Sequence, residues 1–263
     1  MERFDVFENY LNDVFKDLMP TEGFFGFMLK AAFSQAKKDG IEVLQMSIDS
    51  RFYHSFPDKE RDMIGVIEQV RLETAPDIRF IAQLGMDRTH RFDLIEREVG
   101  ALMETGYFEA IDLYGDELYG DNKRFVPLYK RAKAHQMKLC AHAGEYGSAE
   151  SVRAVIDLLE LEEIQHGIAA ADSHEVMNFI RANDIVLNVC PTSNLKLCRV
   201  KSLMKHPIRQ LFDKGIRVTV NTDDLMVFGQ SVSDEYMNLF KAGIFSAEEL
   251  DVIRNYGLGI GGK

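Results

Sequence analysis

The stretch Leu139 to Glu145, Leu-Cys-Ala-His-Ala-Gly-Glu, constrains this chain more than any other. It is a short apolar, β-prone run that ends on a histidine, a glycine and a carboxylate. Three later stretches repeat the form: Ile164 to Gly167 with His166, Ile185 to Asn194 with Cys-Pro-Thr-Ser-Asn, and Ile216 to Asp224 with Asn-Thr-Asp-Asp. An apolar run too short for a helix and closed by polar residues reads as a buried strand. If these strands are parallel neighbours in a barrel, His142, Glu145, His166, Asp223 and Asp224 converge on one rim. The rim at the C-terminal strand ends is where such barrels do chemistry.

The rest of the chain keeps the same rhythm. Strands are expected at Ile41–Ile48, Ile78–Leu84, Phe108–Leu113, Lys138–Ala143, Ile164–His166, Ile185–Cys190 and Arg217–Asn221. Helical spacing is expected at Phe4–Met19, Gly26–Lys38, Pro57–Thr74, Phe92–Met103, Lys123–Gln136, Ala149–Leu159, His174–Asn183 and His206–Lys214. Parallel strands need crossovers of a dozen or more residues, usually helical, so this alternation predicts a parallel sheet covered by helices. The fold class expected is α/β, a TIM (β/α)8-type barrel. It is incomplete, with seven of eight strands and the first strand missing, in a single domain over residues 1–263. The last residues, Tyr-Gly-Leu-Gly-Ile-Gly-Gly-Lys, read as a frayed tail. A barrel short of one strand has unpaired edges, so association with another chain is expected.

A length of 263 residues suits one barrel of about 250. A net charge of −11 would repel nucleic acid and anionic membrane, so neither is an expected partner. No apolar run is long enough to span a bilayer, and no leader is evident at Met1–Glu8. Three cysteines cannot all pair and form no CxxC, so a reduced, cytoplasmic chain is the simplest expectation. Cys140 reads as core, facing away from His142. His54, His90, His135, His174 and His206 read as surface or structural.

Histidine and aspartate at strand ends are suitable zinc ligands. Zinc lowers the pKa of a bound water to about 7. A carboxyl such as Glu145 can protonate a ring nitrogen, and a second histidine can hold or deprotonate the attacking water. These parts suit hydrolytic deamination of a purine.

His-Ala-Gly-Glu at His142–Glu145, His-Gly at His166–Gly167, Cys-Pro-Thr-Ser-Asn at Cys190–Asn194 and Asn-Thr-Asp-Asp at Asn221–Asp224 occur in this order. Together with Asp112-Leu-Tyr-Gly-Asp-Glu117 they resemble the adenosine deaminase family of the amidohydrolase superfamily. The resemblance covers nearly the whole chain. It implies His142 and Asp223 as ligands of one zinc ion, Glu145 as proton donor to the purine, and His166 as the residue that positions or deprotonates the water. It also implies Asp224 as a catalytic and substrate-binding carboxylate, and Gly115 as a backbone donor to the base. Cys190–Asn194 would shape the site.

The chain departs from the family in lacking a His-x-His pair, which in the family supplies two further zinc ligands, and in carrying Leu225 where proline is usual. The implied function is zinc-dependent deamination of adenosine to inosine and ammonia. The alternatives are deamination of adenine or aminodeoxyfutalosine, or purine binding without turnover. The stretch from Ser193–Cys198 through His206-Pro207 is similar to the adenine deaminase branch, whereas Asp112–Glu117 and Asn221–Asp224 lean towards the adenosine branch.

Overall fold

The computed structural model describes residues 21–260. The helix expected over Phe4–Met19 lies outside the described residues. Residues 21–139 and 140–260 form two compact units, the division falling inside one strand.

In the first unit the chain runs through α1 (Glu22–Lys38), β1 (Val43–Asp49), α2 (Lys59–Thr74), β2 (Arg79–Asp87), α3 (Phe92–Glu104), β3 (Ala110–Tyr114) and α4 (Val126–Ala134). Helix α1 begins four residues earlier than its apolar spacing suggested, because the Thr21 side chain accepts the Phe24 N–H at 3.3 Å and caps the first turn. Glu22 opens the helix and Lys37 and Lys38 close it, each sign matching the helix dipole. One face buries Phe24, Phe25, Leu29 and Phe33. The stretch Lys123–Gln136 is not one helix. Asp121 caps a short 3-10 turn at Asn122–Phe125, and α4 then starts with Pro127 in its first turn, where a missing N–H costs nothing.

Strands β1, β2 and β3 pair in parallel and in chain order. The register sets Asp49 beside Gly85 and Asp87 beside Tyr114, so the polar strand ends lie together. Arg51 bridges Asp49 at 2.7 Å and Asp87 at 3.4 Å.

The strand β4 (Lys138–Ala143) leads into the second unit. There follow α5 (Ala149–Leu159), β5 (Glu163–His166), α6 (His174–Ala182), β6 (Val186–Val189), α7 (Pro191–Lys196), α8 (Ile208–Asp213), β7 (Val218–Val220), α9 (Leu225–Phe228), α10 (Val232–Lys241) and α11 (Ala247–Gly257). The ladders β4/β5, β5/β6 and β6/β7 are all parallel. Ile164, Leu187, Val189 and Val218 are fully buried, as expected of parallel strands covered by helices.

Seven parallel strands alternating with helices in chain order give the expected class, an incomplete TIM-type barrel fold among the described residues. Helix α7 was not expected. Its Pro191 sits in the first turn, and its six residues are too few to show an apolar period. The segment read as a frayed tail is entered by α11, which a Ser246 and Glu249 capping box starts and which continues to Gly257.

Candidate functional site

Register brings the second unit's polar motifs to one end of its strands. Ala143 pairs with His166, Gln165 with Asn188, and Val189 with Val220. The residues that follow each strand therefore emerge side by side: Gly144 and Glu145, Gly167, Cys190 to Asn194, and Asn221 to Asp224.

Gly144 makes the first of these turns possible. Its φ is +71°, and a Cβ there would lie 2.4 Å from Val152 Cγ2 in α5. The glycine lets the first turns of α5 close onto the end of β4 and turns Glu145 inward.

His166 and Asp223 carry an unusual backbone. Both have left-handed φ values, 66° and 60°. A side chain in that region costs about 1–2 kcal/mol, and such outliers gather where geometry matters more than local comfort. His166 Nε2 lies 3.7 Å from Glu145 Oε2 and 3.9 Å from Asp223 Oδ2. The His142 ring lies 5.3 Å from the His166 ring, centroid to centroid. Ser193 donates its hydroxyl to Asp223 Oδ2 at 2.5 Å, and the Asp224 N–H donates to Asp223 Oδ1 at 2.8 Å.

Asp224 sits at the edge of this group. The protein packed around its carboxyl, followed by the charge of Asp223, pushes it up to about 7; His142 opposes the shift and Glu145 adds to it. The residue nevertheless opens to solvent, which tempers the shift and leaves its direction. Burial, then the neighbouring carboxylates Asp223 and Glu145, pushes the Cys190 thiol well up.

Five of the sequence-derived site residues thus lie on the second unit: His142, Glu145, His166, Asp223 and Asp224. Gly115 belongs to the first unit, directly after β3. Its φ is +85°, and a Cβ there would lie 2.5 Å from Asp87 Oδ1, so only glycine fits.

The reading of Cys140 needs correction. Residues two apart on a regular strand share a face, and the β4/β5 ladder is regular from Cys140 to Ala143. Cys140 therefore faces the same way as His142, lower on the strand, with its thiol 3.8 Å from Glu163 Oε2. It is fully buried, as a core residue.

Two buried residues were missed as parts of this region. His206 is 4% exposed, and its Nε2 lies 3.3 Å from Asn194 Oδ1. Glu235 is fully buried, receives the Thr192 N–H at 3.3 Å, and leaves Oε1 without a partner. His-Pro and a helical Asp-Glu carry no local signal of burial, so only tertiary contact reveals them.

A sequence model of the adenosine deaminase family matches residues 16–259. The chain belongs to the adenosine deaminase family. The family's curated members include a Treponema pallidum protein named for adenosine or adenine deamination, 32% identical over 82% of this chain and 73% of that one. The adenosine deaminase of Clostridium acetobutylicum is 34% identical over 84% of this chain and 67% of its own length. Among solved structures, an adenine deaminase from Arthrobacter aurescens superposes with a TM-score of 0.83 at 25% identity, covering 94% of this chain and 77% of that one. The family thus includes relatives named for either purine, and hydrolytic deamination is what they share.

Zinc fits the donors by type and not by number. Imidazole and carboxylate are ordinary zinc ligands, and His142 and Asp223 supply one of each. Among the described residues one further grouping has ligand atoms within 4.8 Å of one another, His166, Cys190 and Asp223. The sequence holds no His-x-His, so two of the four ligands of the family's arrangement are not found in it.

Proposed function

We propose that this chain carries the acid–base part of a purine deaminase site, with adenosine as first substrate and inosine and ammonia as products. The observation that supports it is that Glu145 and Asp223 each lie within 4 Å of His166, with His166 and Asp223 in strained backbone. Glu145 donates a proton to a ring nitrogen, which makes the ring carbon beside it electrophilic. His166 holds the attacking water through its ring N–H. Asp224 accepts from the base.

Zinc, when held by His142 and Asp223, would make the water more acidic.

The purine is a small neutral ligand, compatible with a net charge of −11 that disfavours nucleic acid. Three free cysteines fit a reducing cytoplasm. No described helix is long and apolar enough to cross a membrane.

A second reading, purine binding without turnover, is favoured by the missing His-x-His. Ammonia release from adenosine and adenine, beside equilibrium binding of inosine, separates the two. Release from adenine alone changes the substrate, and binding with no release from either favours the second reading.

A further inference from the structure

The polarity of a buried hydrogen-bond chain can be read from a single backbone donor. The Ile208 N–H at the start of α8 donates to His206 Nδ1 at 3.1 Å. A backbone N–H is only a donor, so His206 Nδ1 carries no proton. Burial, aided by the nearness of His166, pulls the His206 pKa down to about 4, so the ring is neutral and its proton sits on Nε2.

That Nε2–H faces the Asn194 side chain at 3.3 Å, and its partner must be the acceptor, Oδ1. The orientation of a buried amide is otherwise an open choice; here it is fixed. The Asn194 NH₂ group is therefore the end that faces His166 Nδ1, at 3.2 Å, and Glu145 Oε1, at 3.5 Å. An NH₂ group only donates, so His166 Nδ1 is the bare acceptor. The ring proton is then on Nε2, the nitrogen turned toward Glu145 and Asp223.

Burial and backbone hydrogen bonds hold this hydrogen-bond chain in place. Asn194, His166 and His206 are all buried. The Asn194 carbonyl accepts the N–H groups of Arg199 and Val200, at 2.8 and 3.2 Å, and its own N–H reaches Cys190 O at 3.0 Å.

We infer that His206 is a positioning residue: acting through Asn194, it fixes His166 as an Nε2–H donor pointing into the carboxylate group. Two consequences follow. His166 Nε2 is no metal ligand in this state, so the His166, Cys190 and Asp223 grouping loses one of its three donors. His166 also presents a hydrogen to any oxygen placed between Glu145 and Asp223, whose 3.7 and 3.9 Å separations are too long for direct hydrogen bonds. That the oxygen belongs to the attacking water rests on the purine deaminase reading above; the tautomer does not.

The test is a long-range proton–nitrogen NMR spectrum of the full chain with labelled histidine, His166 and His206 being assigned by substitution. The wild-type chain is expected to show both rings with bare Nδ1 and protonated Nε2, and His166 is expected to keep that state when zinc is added. His206→Phe fills the same buried space and removes both hydrogen bonds, so His166 is expected to shift toward a mixture of tautomers. Asn194→Asp replaces the donor facing His166 with an acceptor, so it is expected to move a proton onto Nδ1 even if His206→Phe does not fold.

A wild-type His166 with protonated Nδ1 and bare Nε2 overturns the inference. So does zinc removing the Nε2 proton, or a folded His206→Phe chain with an unchanged His166. Because no substrate is present, a chain that shows the expected tautomers and releases no ammonia refutes the deaminase reading and leaves this one standing.

Discussion

His166 and Asp223 face each other across 3.9 Å, and each holds a left-handed backbone. His166 is the last residue of its strand and Asp223 lies three residues beyond its own, and the two left-handed turns accompany the close approach of the side chains. Aspartate tolerates this region better than most residues, and β-branched residues tolerate it worst. Asp223→Val is expected to lower stability by about 1–2 kcal/mol from the backbone alone, whereas Asp223→Asn should stay near wild type. Thermal unfolding of the two variants checks this. Equal stability would mean that the strain is not held at Asp223.

Gly144 has a sharper requirement. Gly144→Ala adds a methyl 2.4 Å from Val152 Cγ2 and forces alanine to φ +71°. The two effects together are expected to cost about 2–4 kcal/mol. Denaturant unfolding should show the loss, and Val152→Ala in the same chain should restore part of it by making room. A wild-type midpoint for the single variant would contradict the close approach of α5 to β4.

Glu235 gives a pH dependence with a definite sign. Burial pushes its carboxyl up to about 7, from an ordinary value of 4.5. The folded state therefore holds the proton more tightly than the unfolded state. Stability linked to this group is fully present below about pH 4.5, is lost as pH rises to about 7, and changes no further above. The full loss, reached above pH 7, is on the order of 3 kcal/mol. Glu235→Gln stays neutral at every pH, so it should unfold at a higher temperature than wild type at pH 8 and show little advantage at pH 4.5. A variant less stable than wild type at pH 8 would show that the charged form is the one the fold favours.

Much of this was legible in the sequence, and what was not has physical reasons. The strand and helix alternation was readable because buried parallel strands are apolar throughout and their helices are amphipathic. The strand-end motifs were readable because each sets glycine, histidine or acid at the end of a short apolar run. The Gly144 position could be suspected from its motif, whereas its contact with Val152 needed the fold. His206 was read as surface or structural because the residues around it are ordinary. Its place became visible only when α8 brought the Ile208 N–H to one ring nitrogen and α7 brought Asn194 to the other. Cys140 shares a face with His142 because residues two apart on a regular strand do, and the β4/β5 ladder is regular there.

The metal makes a separate prediction. Two of the family's four ligands, His142 and Asp223, should hold zinc weakly and reversibly. After dialysis against excess zinc and desalting, the chain is expected to keep well below one zinc per molecule, measured by elemental analysis. Near one zinc per chain would mean that further residues complete the site, with Cys190 the first to test by Cys190→Ser.

The most direct test of the account is ammonia release from adenosine in excess zinc, with adenine measured in parallel and Glu145→Gln as control. The account predicts release from adenosine that falls about 10²–10⁴-fold in Glu145→Gln without loss of fold. A folded wild-type chain that releases no ammonia from either purine would contradict it.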